Sequence, residues 1–211
     1  MKALVREGME LGAVGLSTGL MYTPGMYSDT AEVIELAKVA ASFGGSYDSH
    51  VRNPVHDLIK SYAEVIEIGR KAKLPVKIGH AKLVGLPNRD LFPEVQKLVN
   101  KARDEGINVV SDQYPYDGAA NVWLWEMIAL PDTMTPKDEK DYSRAWVSAL
   151  LKDHKQRAIL KKFNEKDTKG FSWVKAVGYT SMRIVVSEEQ PDLVGKHISE
   201  LAAELGKSEF D

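Results

Sequence analysis

The chain has 211 residues, 44% of them hydrophobic, enough to bury a sizeable core as one large domain or as a domain with an appendage. Its 28 Lys and Arg stand against 30 Asp and Glu, and the two signs are interspersed, so no nucleic-acid partner is expected. There is no cysteine, which excludes a disulfide framework and a thiolate metal site within the chain; any metal here must bind through His and carboxylate. No apolar run approaches a membrane span of about 18 residues and no leader segment is visible, so no membrane partner is expected and the location is read as cytoplasmic.

In chain order, Lys2–Leu11 reads as a helix and Val14–Ser17 as a short strand. Three more strands follow, Ser46–His50, Val76–His80 and Asn108–Asp112, at nearly equal intervals. Helical stripes lie between them: Val33, Ile34, Ala37 and Ala41; then Val55, Leu58, Ile59, Tyr62 and Ile66; then Val95, Leu98, Val99 and Ala102. Asp29 with Glu32 has the spacing of a capping box, and Asn53-Pro54 reads as an N-cap followed by proline at the first helical position. This is the rhythm of βα units on a parallel sheet, and it stops after Tyr116. An irregular stretch from Leu130 to Pro136 leads into a long charged helix from about Asp141 to Asn164. Ser181–Val186 alternates like a strand, and Gly195–Leu205 reads as a short amphipathic helix closed by Gly206. Residues 1–122 are therefore expected to form part of a barrel and 123–211 an α+β subdomain inserted in it. Periodicity alone leaves an open doubly wound sheet as the alternative.

His50 and His80 each end a predicted strand, the end that faces the active-site mouth of a parallel βα barrel. Neighbouring units bring such ends side by side, so the two imidazoles are candidates for one metal ion; hydrogen-bonded strand-end loops are the plainer alternative. Arg52 and Lys82, each two residues further on, could bind a substrate carboxylate or form ordinary ion pairs. Asp112 ends the next strand, and Tyr114 and Tyr116 follow as possible orienting hydroxyls or simple rim packing. His56, His154 and His197 read as solvent-facing, and the charged run from Lys152 to Lys169 as a solvated face. No phosphate-binding glycine loop follows a strand.

Four motifs in succession, Gly15-Leu16-Ser17-Thr18-Gly19-Leu20-Met21-Tyr22-Thr23-Pro24-Gly25, Ser49-His50-Val51-Arg52-Asn53, Gly79-His80-Ala81-Lys82 and Asp112-Gln113-Tyr114-Pro115-Tyr116, resemble the N-acyl-D-amino-acid deacylase branch of the amidohydrolase superfamily. Gly195-Lys196-His197-Ile198-Ser199-Glu200-Leu201 resembles a stretch of that family's inserted subdomain. The resemblance implies a partial TIM-type barrel of about four βα units, an internal piece of a longer enzyme, inactive alone. It implies zinc as cofactor, held by His50 and His80 after the fifth and sixth strands, and a small-molecule substrate, an N-acyl-D-amino acid, contacted by Lys82 and Tyr114, with Arg52 and Tyr22 beside them. The family's His-x-His pair, bridging cysteine and general-base aspartate have no counterpart here, so no catalytic residue is assigned, and Asp112 matches the seventh-strand motif instead. Pro54 stands where the family usually has Glu, and Ala120 where a serine is frequent. The second change removes a possible hydrogen bond to substrate and leaves open a cyclic amide or dipeptide as substrate. A non-catalytic βα scaffold is the reading from another class, and the sequence carries no signal for an oligomeric state.

Overall fold

The structure is a computed structural model that describes residues 1–116, 118–119, 122–168 and 172–211; Ala120 and Lys169 lie outside them. It divides into two compact units, Met1–Asp117 and Gly118–Asp211. In the first unit, helices α1 (Lys2–Glu10), α2 (Thr30–Ala41), α3 (Leu58–Ala72) and α4 (Phe92–Asp104) alternate with strands β1 (Gly15–Gly19), β2 (Ser46–His50), β3 (Val76–Ile78) and β4 (Val109–Ser111). All four strands are parallel and their order in the sheet is their order in the chain. A doubly wound sheet reverses its strand order to send helices to both faces; a uniform order with right-handed crossovers keeps them on one face, which is barrel geometry. The fold is a partial βα barrel.

The sheet's two faces differ accordingly. Tyr47, Val76, Ile78 and Val109 point toward the helices and are buried with Val33, Ala37, Ala40, Leu58, Tyr62, Val65, Ile66 and Ile68 in one apolar cluster. The alternate residues Ser17, Asp48 and Lys77, paired in register across three strands, form the polar inner face. Helix α3 packs closely on β3, since a Cβ on Gly69 would lie 2.5 Å from Val76 Cγ1.

Several local expectations are corrected. Asn53 does not start α3: its Oδ1 accepts from the amides of Val55 and His56 in a closed turn, and the helix begins at Leu58. Of the capping box at Asp29, the bond from the Glu32 amide to the Asp29 side chain is made. In the second unit the single long helix is two, α5 (Arg144–Lys152) and α6 (His154–Lys162), the latter running on into a π-helical turn over Phe163–Asp167. Asp153 breaks it: its backbone is extended and its side chain accepts from the amides of Lys155 and Gln156, so it caps a new helix. Ser181–Val186 is not a strand. Residues 182–184 run antiparallel to 195–198 through a single bridge, Arg183 with His197, flanked by backbone hydrogen bonds of Ile184 with Gly195 and Lys196 and of Ile198 with Met182, and beyond it Val185 and Val186 are exposed. After α7 (Trp173–Val177), the last helix, α8, spans Ile198–Leu205 rather than starting at Gly195, and Gly206 closes it in the left-handed region. His197 is half-buried rather than solvent-facing.

The second unit is organised around Asn164, fully buried, whose side chain accepts from the Ala129 amide and donates to the carbonyls of Ala129 and Leu160. No described helix is long and apolar enough to cross a membrane.

The cluster between sheet and helices predicts a stability effect. Ile68 has no exposed surface whereas Val14 is 88% exposed, so Ile68→Ala is expected to lower the unfolding free energy by about 2–5 kcal/mol. Val14→Ala is expected to change it by less than about 0.5 kcal/mol. Denaturant titration of the two variants beside the parent checks both.

Candidate metal centre

The C-terminal ends of β2 and β3 carry the two histidines. Strand register sets Asp48 opposite Lys77 and Ser49 opposite Ile78. Continued by one residue, that register sets His50 opposite Gly79, not His80. In an unbroken strand His80 would then share the helix-facing side of Val76 and Ile78, because side chains alternate. The strand instead ends at Ile78, and His80 adopts a positive φ of 38°, a left-handed conformation costing a non-glycine residue about 1–3 kcal/mol. The turn swings its ring to the inner face, where His80 Nε2 lies 2.8 Å from His50 Nδ1, with ring centroids 4.6 Å apart and nearly perpendicular.

Two groups hold this turn. Gly79 lets the chain pass close to β2, since a Cβ there would sit 3.0 Å from the Ser49 carbonyl and 3.2 Å from Asp48 Oδ1. Asp112, just beyond β4, accepts the His80 amide on its carboxylate and the Ala81 amide on its carbonyl, the latter at 2.9 Å. The Asp112 carboxylate is also paired with Lys77 at 2.8 Å, and Lys77 reaches Asp48 at 2.8 Å. Lys77 first, and then the His80 amide, hold the Asp112 carboxyl below the usual carboxylate range, so the group that grips His80 is ionised. Ser17, Thr18, Asp48, His50, Lys77 and His80, among others, line the resulting cleft of about 250 Å³.

Burial, followed by the nearby charges of His80 and Lys82, lowers the His50 pKa to about 4. His50 is therefore neutral at pH 7, the form that ligates metal. Two nitrogens on one tetrahedral zinc, each 2.0–2.1 Å from it, lie about 3.3 Å apart. A small rotation of either ring opens the 2.8 Å separation to that value, so the pair fits two positions of such a site. The other nitrogen of His50, Nε2, lies 3.4 Å from Met21 Sδ. Among the described residues, no group of three or more His, Cys, Asp and Glu is arranged to hold a metal.

The remaining candidates are distributed unevenly. Tyr22, about half exposed, stands over His50 with centroids 4.8 Å apart. Lys82 Nζ lies 4.8 Å from the centre of the Tyr114 ring, and the Tyr114 hydroxyl is buried without a hydrogen-bond partner among the described residues. Arg52 is engaged elsewhere. Its Nε and Nη2 bind Glu64 at 3.0 and 2.9 Å and its Nη1 donates to the Met26 carbonyl, so of the two roles open to it the geometry favours the ion pair. Sequence reasoning missed three contributors. Tyr62, read as core, uses its hydroxyl to accept the Lys82 amide at 3.0 Å and donate to the Lys82 carbonyl, pinning the loop. Asp48 and Lys77 went unremarked, although the alternation that puts Asp48 on the same side as His50 was a usable signal.

Sequential parallel strands with histidines at their C-terminal ends define a partial βα barrel with a histidine pair at its mouth. The relatives narrow this. D-aminoacylase of Alcaligenes xylosoxydans is 27% identical over 211 residues, all of this chain and 34% of the relative. N-acyl-D-glutamate deacylase of the same organism is 33% identical over 126 residues, 60% of this chain and 26% of that protein. A crystal structure of N-acyl-D-glutamate deacylase from Bordetella bronchiseptica, complexed with zinc and a phosphonate inhibitor, superposes with a TM-score of 0.64 at 24% identity, over 99% of this chain and 34% of that one. No protein-family model matches. The sequence relatives of this chain are thus a D-aminoacylase and related deacylases, and the chain spans about a third of their length or less.

The Arg52–Glu64 pair carries a test of its own. The Glu64 side chain is only 11% exposed, so Arg52→Ala, which removes its charged partner and leaves the Thr30 hydroxyl donating to it at 2.8 Å, is expected to lower the unfolding free energy by about 1–3 kcal/mol. Unchanged stability with a loss confined to substrate affinity would return Arg52 to the substrate.

Proposed function

We propose that this chain forms part of the catalytic barrel of a zinc-dependent amidohydrolase that cleaves the amide bond of N-acyl-D-amino acids. The observation that carries the reading is the approach of His50 Nδ1 and His80 Nε2 to 2.8 Å at the mouth of a parallel βα sheet. The deacylases among the relatives, one of them solved with zinc, support the metal and the substrate class. On this reading residues 123–211 are the family's inserted subdomain, supported by the compactness of the second unit.

His50 and His80 would hold the zinc, which when bound supplies the Lewis acidity that makes water nucleophilic at neutral pH. The work of the other residues is binding and orientation. Lys82, its backbone pinned by Tyr62 and its ammonium against the Tyr114 ring, binds the carboxylate of the amino acid. Tyr114, whose hydroxyl has no partner among the described residues, orients the substrate by donating a hydrogen bond. Tyr22 covers His50 and narrows access of water. Asp112 is not the general base, since its carboxylate is occupied by Lys77 and the His80 amide.

The roles separate by measurement in the intact protein. His80→Ala is expected to lose tightly bound zinc. Lys82→Ala is expected to keep its zinc and lose about 10- to 100-fold in kcat/KM on N-acetyl-D-amino acids, the effect of removing one charge-assisted hydrogen bond. Metal analysis of the purified variants together with steady-state kinetics checks both, and equal zinc in wild type and His80→Ala would remove the assignment.

A further inference from the structure

The strand that delivers His80 has the wrong parity for the task. Lys77 is on the inner face opposite Asp48, so Val76 and Ile78 point to the helices, and an unbroken strand would send His80 with them. The imidazole reaches His50 only because the backbone turns left-handed at His80, and that conformation is held from outside the turn by the Asp112 side chain on the His80 amide. A carboxylate on a short loop has rotational freedom of its own. Lys77 removes it by binding the second oxygen, Oδ2, at 2.8 Å, and Lys77 is steadied on its other side by Asp48 at 2.8 Å. The three side chains come from three adjacent strands or strand ends and line the same cleft as the histidines.

We propose that Lys77 is a positioning residue of the metal centre: by clamping the Asp112 carboxylate against the His80 amide, it maintains the backbone turn that carries the His80 imidazole to His50. The proposal rests on the reading of His50 and His80 as metal ligands. It concerns zinc affinity, because a ligand held in position before the ion arrives binds more tightly than one that must be turned first.

The test compares zinc affinity, by competition with a chromophoric chelator, in the intact protein and in Lys77→Met, Lys77→Arg, Asp112→Asn, the Lys77→Met/Asp112→Asn double variant and His80→Ala, with thermal unfolding of each metal-free protein beside it. Lys77→Met is expected to bind zinc about 10- to 100-fold more weakly, the usual effect of losing a group that orients a ligand. Lys77→Arg, which can still bridge two carboxylates, should restore most of the loss. Asp112→Asn should weaken binding by a similar factor, and the double variant should be no worse than the more severe single one, because both break the same link. Wild-type affinity in Lys77→Met, with only a lower unfolding temperature, would reduce Lys77 to a structural ion pair and overturn the proposal while leaving the metal reading intact. Were Lys77→Met not to fold, wild-type affinity in Asp112→Asn would overturn it equally. Undiminished zinc in His80→Ala would instead bring down the metal reading, and the proposal with it.

Discussion

The site depends on one backbone conformation, the left-handed turn at His80. Side chains of a strand alternate, so a residue is committed to one face of the sheet by its position relative to its neighbours. In β3 that commitment is made by Val76 and Ile78, whose burial against the helices anchors the strand. Reaching the inner face from His80 therefore requires leaving strand geometry. A positive φ at a non-glycine residue persists only where the surroundings over-determine it. Here the surroundings are Gly79, which permits close passage along β2, and the two hydrogen bonds of Asp112 to the amides of His80 and Ala81.

The ion pairs of the first unit divide by what surrounds them. Lys38 with Glu35 and Lys60 with Asp57 are exposed pairs within one helix or at its start, worth little to stability. Arg52 with Glu64 and Lys77 with Asp48 and Asp112 join different elements around the mouth of the sheet. Their geometric value exceeds their net energy, since a bidentate or bridged contact restricts direction as well as distance. The chain just past His50 is in this way tied to α3, and the strand that leads to His80 to the end of β4.

The division of labour between sheet faces also explains why the chemistry stands apart from the fold. The helix-facing side is an ordinary apolar core that would tolerate volume-conserving exchange. The inner side is polar from Ser17 to Asp112, with charges satisfied by one another rather than by the core. The two sides meet at the tyrosine hydroxyls, Tyr47 on Thr18 and Tyr62 on the Lys82 backbone, where core residues steady the polar side.

Much of this was legible in the residues themselves. The βα rhythm from Lys2 to Asp112 follows from apolar periodicity, and the strand-end histidines with their neighbouring motifs resemble the deacylases found among the relatives, because such signals are local and repeated. The two-helix break at Asp153 was also written locally, in a capping residue passed over amid a charged run. Ser181–Val186 alternates like a strand yet pairs only through residues 182–184 with 195–198, since a strand extends only as far as a second one meets it. Arg52 could have faced substrate or carboxylate, and only the position of Glu64 on α3 decided it. The sequence determined which residues end the strands; the tertiary structure decided which way they point. His80 is the clearest case, because its direction comes from a bond to Asp112 just beyond another strand, a contact between distant segments that no window of neighbouring residues contains.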